Sequence, residues 1–439
     1  MSAQDLTSRL MRGAVLALLV NVAGFSLGFL AQLVVGRTLG VDGFGVYAYV
    51  QAWASFIAML CGIGLPYSLS RFIPEYKGQN ALSLVLAFVR FVERRVLVIS
   101  LGTALVGLGL MLAFGHRLDQ DFVWTIYVGL VALPLLALLR VWCLALRASG
   151  RIVSALGSDL PVREGVTFIV VAILGLGFPF ITSAHQALTV WTLGIVAGIG
   201  ISLFAWQREK ASSFPGEPAV VTADMRAKWL EVAFMLLVVQ SLVMLLRRMD
   251  LFVVGLWFDK ESLGVYAAAN RLAEVMIFPT YVLNAYFAPT ISELYSQGKR
   301  EALQKATTFT VNMAFGSAVL LALPLFLFPE HLLKLFGPEF DQGATALRLL
   351  VIGEFVATAT PFATIMLTMT GHERLAVKLM IITSVAMLAA LLFASVAIGS
   401  IEAVALARAA FIVLIQLSLC VLIQKKIKVL PYPLVSTRG

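Results

Sequence analysis

Charge is scarce in this chain: 13% of its 439 residues are charged, against 60% hydrophobic. A soluble globular domain carries about a quarter charged residues, so much of this chain must face something other than water. Cysteine is scarcer still. Cys61, Cys143 and Cys420 stand alone in apolar stretches with no CxxC pair, which argues against a disulfide framework or a zinc site. The histidines His116, His185, His331 and His372 are far apart, in expected loops, and no metal cluster or cofactor is expected. A GxxxxGK[ST] loop is also missing. Its nearest likeness, Gly298-Lys299-Arg300, lacks the first glycine and the Ser/Thr, so direct ATP hydrolysis is excluded within this chain.

What is present is long apolar runs. Mean hydropathy is +0.94, and a spanning helix needs roughly 20 apolar residues. Read that way, the sequence predicts an all-α integral membrane protein with spans near 13–36, 44–69, 96–114, 122–146, 165–183, 187–206, 229–257, 264–290, 307–328, 345–370, 375–398 and 402–424. The first run follows Arg9 and Arg12 and is too long for a cleaved signal peptide, so it is read as a retained helix.

The net charge of +9 would suggest nucleic acid in a soluble chain. Here its placement explains it, and no nucleic-acid partner is expected. With the N-terminus inside, outside loops hold only Arg37, Arg117, Lys260 and Lys334, while Arg247, Arg248, Arg271, Arg348 and Arg408 fall within helices. All the other Lys and Arg, Arg374 and Arg438 among them, lie on the inside, as the positive-inside rule requires of cytoplasmic loops. Both termini are then cytoplasmic.

The longest polar stretch between spans, 207–228, reads as a cytoplasmic linker, with Pro215, Gly216 and Pro218 against regular structure. It leaves a six-helix lobe over 1–206 and another over 229–439, the second ending in a short cytoplasmic tail. The lobes echo one another at an offset of 219: Val35, Gly36, Gly45, Val46, Tyr47, Ala48 and Ala54 recur as Val254, Gly255, Gly264, Val265, Tyr266, Ala267 and Ala273. A weaker echo pairs Leu146 and Gly150 with Leu367 and Gly371. An even helix number per repeat gives both lobes one orientation, related by an axis along the membrane normal, as in transporters whose halves rock about a central site.

At these residues the chain resembles the polysaccharide-transport branch of the multidrug/oligosaccharidyl-lipid/polysaccharide exporter superfamily. The stretches that carry the resemblance are LGVDGFGVYAYVQAWASFIAMLCGIGLPYSLSRFIPEY from Leu39, RRMDLFVVGLWFDKESLGVYAAANRLAEVMIFPTYVLNAYFAPTISELY from Arg247 and FGPEFDQGATALRLLVIGEF from Phe336. Their order and spacing cover most of the chain. The resemblance implies two pseudo-symmetric six-helix lobes around a central cavity in a bacterial inner membrane. It also implies a flippase for undecaprenyl-diphosphate-linked glycans such as O-antigen, capsule or exopolysaccharide precursors, working beside a polymerase or ligase. Many members have two further C-terminal helices; this chain's spans end with the twelfth.

Ionisable groups inside a bilayer cost about 2.5–3.5 kcal/mol on insertion scales and therefore face a partner or a cavity. The second lobe holds Arg247, Arg248, Asp250, Arg271, Glu274, Arg348, Glu354 and Arg408. In a hairpin turning near Lys260, residues whose numbers have a constant sum lie at equal depth. Asp250 faces Arg271 by that rule, about 15 Å from the turn, and Arg247 faces Glu274 at about 20 Å. The four then form a ladder that either staples two helices or, with positive charge left over, meets the anionic head of the substrate. Arginine forks match phosphate oxygens, so Arg247, Arg248 and Arg271 are the expected diphosphate contacts.

Glu354, Glu274 and Asp250 are the candidate acids for coupling to H⁺ or Na⁺. Glu354 has no partner nearby in sequence; it either carries a proton or pairs with Arg408 or Arg348. The offset of 219 matches Gln32 and Gln51 to positions 251 and 270, again an equal-depth pair across a hairpin, so Gln51 corresponds to Asn270. These polar groups suit sugar hydroxyls and equally suit hydrogen bonds between helices. Tyr47, Tyr49, Trp53, Tyr266, Tyr281 and Tyr286 are read as sugar-stacking rings or interfacial anchors. Pro134, Pro279, Pro289, Pro324 and Pro361 fall within spans, and Gly24 and Gly28 form a small-residue packing face.

Three other functions remain open. A cation-coupled multidrug exporter would favour an acidic cavity, whereas the intramembrane excess here is basic. A peptidoglycan-precursor flippase shares the substrate chemistry. A membrane glycosyltransferase or polymerase would need a sizeable outside loop or paired carboxylates, and the longest outside loop, near 329–344, is a small cap.

Overall fold

The first apolar run is too long for one crossing, and Gly40 is where it turns back. α1 (Ala3–Cys61) is helical throughout except at Gly40, whose φ of 69° and ψ of −174° lie outside helical values. The amide of Gln32 donates to that of Gln51 at 3.0 Å. Nineteen residues of straight helix would hold them about 28 Å apart, so the chain reverses between them and α1 is a hairpin. Glycine suits the break because it adopts positive φ without strain.

The computed structural model describes residues 3–214, 216–360, 366–367 and 370–432. Pro215, Pro361 and Arg438 lie outside the described residues, as do the side chains of Arg9, Arg12, Tyr281, Tyr286, Pro289 and Arg374. All regular structure among the described residues is helical. After α1 come α2 (Leu65–Gly78), α3 (Leu82–Phe114), α4 (Gln120–Ala148), α5 (Ile152–Asp159), α6 (Pro161–Val171), α7 (Ala184–Ser213) and α8 (Ala223–Trp257). Then follow α9 (Lys260–Ala273), a 3-10 segment (Glu274–Ile277), α10 (Phe278–Ser296), α11 (Arg300–Leu327), α12 (Pro329–Leu333) and α13 (Ala344–Ala359). The last helices are α14 (Glu373–Phe393) and α15 (Ile401–Ile427).

Among the described residues, nine helices are long and apolar enough to cross a membrane. The first, Leu16–Cys61, is the α1 hairpin and holds two of the expected spans. The eighth and tenth expected spans are not among these nine. The eighth is interrupted by the 3-10 segment and carries Arg271 and Glu274, and the tenth is described as a helix only over Ala344–Ala359. The chain is a multi-pass, all-α membrane protein.

The chain divides into two compact units, Met1–Met244 and Leu245–Gly439. The polar stretch 207–228 is helical at both ends: α7 runs on to Ser213 and α8 begins at Ala223. In the first unit, α4 packs along α7 and α3, and α1 lies against α4 and α6. The start of α8 belongs here too. Trp229 packs its ring 4.6 Å from that of Phe88 and donates to the Tyr76 hydroxyl at 2.7 Å. α8 also passes over Gly64, which has φ of 71° and where a Cβ would run into the Ala233 carbonyl. Gly24 is similarly close-packed, its missing Cβ filling the space of Leu160 and Pro161, while the three cysteines are buried.

In the second unit, α13 packs against α15, α11 and α9. Gly353 lets α13 approach α15 closely, since a Cβ there would lie 2.9 Å from the Ala409 Cα. That contact sets Glu354 beside Arg408. The loop read as a cap is a folded element: α12 and a 3-10 turn over Pro338–Gly343 bury Leu333, Phe336 and Phe340.

Candidate functional site

The second unit buries a charge cluster contributed by four helices. Arg408 of α15 donates through Nη1 to Asp250 Oδ2 of α8 at 2.6 Å and to the side-chain Oδ1 of Asn270 on α9, and through Nη2 to Glu354 Oε1 of α13 at 2.9 Å. The Tyr266 hydroxyl donates to the same Asp250 oxygen at 2.7 Å. Tyr266 and Asn270 reach this point together because residues four apart share a helix face. The side chains are sealed from solvent: Arg408 is 3% exposed, Asp250 0% and Glu354 7%. Among the described residues, Asp250 Oδ1 and Arg408 Nε are buried without a hydrogen-bond partner. Buried polar atoms are rarely left so, and both belong to this one ion pair.

A second cluster joins α8, α9 and the start of the 3-10 segment. Glu274 accepts from Arg248 Nη1 and from Arg271 Nη1, each at 2.9 Å. These side chains are more open, Arg248 at 30%, Arg271 at 25% and Glu274 at 18%. Arg247 is exposed and lies within Coulombic reach of Glu354.

The ladder expected from hairpin depth is therefore reorganised. Asp250 takes Arg408 rather than Arg271, and Arg271 turns to Glu274 three residues on. Equal depth fixes height in a hairpin but not azimuth. Arg271 stands about 100° around the helix from Asn270, which turns it away from Asp250. Glu354 is paired, not isolated, because α15 brings Arg408 to it from 54 positions away. Arg348 is not part of the cluster: it bonds Glu330 at 2.8 Å and the Phe326 carbonyl, at the level of the α12 cap.

Charge consequently separates into two layers. The buried layer holds Asp250 and Glu354 against Arg408, one negative charge in excess. The more open layer holds Arg247, Arg248 and Arg271 against Glu274, a positive excess. The sequence showed each of these residues. It gave no sign of Tyr266 as a donor, nor that Arg408 would be the hub, because that depends on the packing of α13 against α15.

In the first unit, Gln32 and Gln51 meet as equal depth predicts. Gln51 also donates to the Tyr47 hydroxyl at 3.0 Å. Tyr47 and Tyr266 occupy equivalent repeat positions, and both are fully buried in polar networks at the inner side of their hairpins. They are thus not sugar-stacking platforms. Tyr49 stacks on Phe122 at 6.3 Å and meets Trp53 edge-on, within the helix packing. Ion pairs missed by the sequence reading, each with a buried acid, are Arg163 with Glu164 at 3.0 Å and Arg151 with Glu209 at 2.6 Å. Their acids sit at the polar ends of helices, where nothing in the pattern marks them as buried. Among the described residues no group of three or more His, Cys, Asp or Glu is placed to hold a metal ion.

Comparison with known proteins gives two family matches. The family model described as polysaccharide biosynthesis protein matches residues 10–295, and the MatE model matches residues 235–394. No curated protein matches the chain. Among solved structures, an inward-facing multidrug resistance MATE family transporter of the MOP superfamily is similar with a TM-score of 0.74 at 16% identity, covering 94% of this chain and 98% of its own. A MATE in complex with MaD5 is similar with a TM-score of 0.65 at 16% identity, over 95% and 96% of the two chains. A MOP superfamily transporter from Pyrococcus furiosus, described as having a binding pocket of reverse polarity that suggests a different function, gives 0.62 at 16% identity over 95% of each chain. At such identity these likenesses establish the fold.

Proposed function

We propose that this chain, which belongs to the polysaccharide biosynthesis protein family and is a membrane transporter of the MOP superfamily, is a flippase for undecaprenyl-diphosphate-linked oligosaccharides. It moves the lipid-linked glycan from the cytoplasmic to the outer leaflet of a bacterial inner membrane, by alternating access. The observation that carries this reading is the layering of charge in the second unit. Arg248 and Arg271 are half-open and already converge on one carboxylate, and Arg247 stands exposed beside them. A diphosphate carries about the charge that this excess would match, and arginine forks bind its oxygens in pairs. A cationic drug would be repelled by the same surface.

The buried layer supplies the drive. Two carboxylates share one guanidinium inside the helix packing, with Arg247 adding its field at Glu354 from the exposed side. A buried carboxylate so incompletely paired is costly, and one proton or Na⁺ would relieve it. Glu354 and Asp250 are the groups that would take it, with Glu274 linking to the open layer through its arginines. Each elementary charge carried across 100 mV supplies about 2.3 kcal/mol.

The test is translocation of a lipid-linked oligosaccharide in proteoliposomes by the parent and by Arg247→Ala, Arg248→Ala and Arg271→Ala variants that still fold. Transport by the parent that falls about tenfold or more in at least one variant supports the assignment. Equal transport by all four would leave these arginines as helix staples. Transport of a cationic dye but of no glycolipid would replace the reading with that of a drug exporter.

A further inference from the structure

The first unit carries a cavity that the transport reading does not use. It has a volume of about 810 Å³ and is bounded by α1, α5, α6 and α7. That is within the size range of small-molecule sites, about 300–1,000 Å³. Its two ends differ in chemistry. One is polar, with Arg151, Ser154, Arg208 and Glu209; the other is apolar, with Val20, Val162, Ile201 and Phe204. Ile201 is 47% exposed and Phe204 56% exposed. In a spanning helix, such side chains face lipid.

The polar end is positively charged. Glu209 is 4% exposed and is held by Arg151 at 2.6 Å, which removes one charge of each sign. Arg208 remains. Its guanidinium lies over the Phe204 ring at 4.4 Å, and no carboxylate pairs with it among the described residues. Lys77 adds its field at Glu209. The first turn of α5 opens at the same end, and no side chain caps it. Uncapped helix N-termini present backbone N–H groups that favour anions.

We infer that this groove binds an anionic phospholipid of the bilayer. Its phosphate sits between Arg208, Arg151 and the start of α5, and an acyl chain lies along Phe204, Ile201 and Val162. The Lys/Arg asymmetry puts the polar end in the cytoplasmic leaflet, where anionic headgroups draw basic residues. The combination is what selects this occupant. A free phosphate has no use for the apolar wall, a zwitterionic lipid gains little from the excess charge, and a neutral detergent gains nothing at the arginines. The site belongs to the first unit, separately from the arginines assigned to the glycolipid, so it can hold even if the transported substrate is another.

The experiment is native mass spectrometry of the purified full chain with phosphatidylglycerol, phosphatidylcholine, inorganic phosphate or a polyprenyl phosphate added. The variants are Arg208→Ala, which removes the head contact, and Ala205→Trp, which fills the apolar wall and leaves both arginines. Melting in lipid-free detergent checks that each variant folds; Arg208→Gln replaces Arg208→Ala if needed. The expected result is retained phosphatidylglycerol on the parent and about fivefold less on each variant, with little phosphatidylcholine on any. Equal retention of both phospholipids, or equal phosphatidylglycerol on parent and variants, would overturn the assignment. So would inorganic phosphate binding undiminished in Ala205→Trp, or preferential retention of the polyprenyl phosphate, which would give the groove to the transported lipid.

Discussion

Arg408 and Asp250 stand 158 positions apart in the chain, yet their side chains meet at 2.6 Å in a site from which solvent is excluded. Arg408 also holds Asn270 and Glu354, so a single guanidinium ties α8, α9, α13 and α15 together. Removing one partner of a buried ion cluster costs about 3–5 kcal/mol, because the remaining charges are left uncompensated. Arg408→Ala is therefore expected to destabilise the protein by about that much. Arg408→Lys should recover only part of it, since an ammonium lacks the planar fork that spans several acceptors. Thermal melting in detergent measures both; an Arg408→Ala protein that melts like the parent would remove the hub role.

Glu354 is where coupling should be read. Glu354→Gln keeps a hydrogen-bond acceptor for Arg408 and removes the negative excess of the buried layer. Transport should continue down a substrate gradient but lose its response to an imposed proton or sodium gradient. Flux measured with and without each gradient decides it, and an unchanged response in the variant would take Glu354 out of the coupling path.

Asp259 caps α9 by accepting from the Ser262 N–H at 2.9 Å. The bond from Ser262, with its backbone N–H also donating, holds the Asp259 carboxyl below the ordinary aspartate value. A lowered folded-state value means the cap's contribution is full above the ordinary aspartate range and is lost as pH falls through the lowered one. Asp259→Ala should cost about 1 kcal/mol at neutral pH. The difference between parent and variant should shrink in acid. A gap that stays constant from neutral pH down through that range would contradict the capping account.

Gly64 combines a positive φ with the close passage of α8. Gly64→Ala adds a Cβ where the Ala233 carbonyl already lies, and backbone cannot retreat as a side chain can. The variant is expected to lower the yield of folded protein sharply, whereas Gly78→Ala, with nothing within 4 Å of its Cβ, should be tolerated. Size-exclusion profiles of the two variants give the comparison.

Gln32 and Gln51 spend their amide contact on each other and on Tyr47. Gln51→Leu should cost about 0.6–2 kcal/mol, the range for such bonds in membranes, and leave glycolipid flux largely intact. Loss of flux at unchanged stability would return the pair to the substrate path.

The sequence by itself determined the membrane class and most of the spans. Those depend on local quantities: apolar run length, the positions of Lys and Arg, and the rise of a helix per residue. They correctly matched Gln32 to Gln51, because a hairpin at Gly40 leaves little freedom between them. They also brought out Arg247, Arg248, Arg271, Asp250, Glu274 and Glu354 as a group. What only the tertiary structure decided was who meets whom. Helix azimuth turned Arg271 from Asp250 to Glu274, and the close approach of α13 and α15 at Gly353 delivered Arg408 to both buried acids. Arg163 with Glu164 and Arg151 with Glu209 were hidden for the same reason. Burial of a charge is a property of its neighbours in space, and packing between distant helices leaves no periodic trace along the chain.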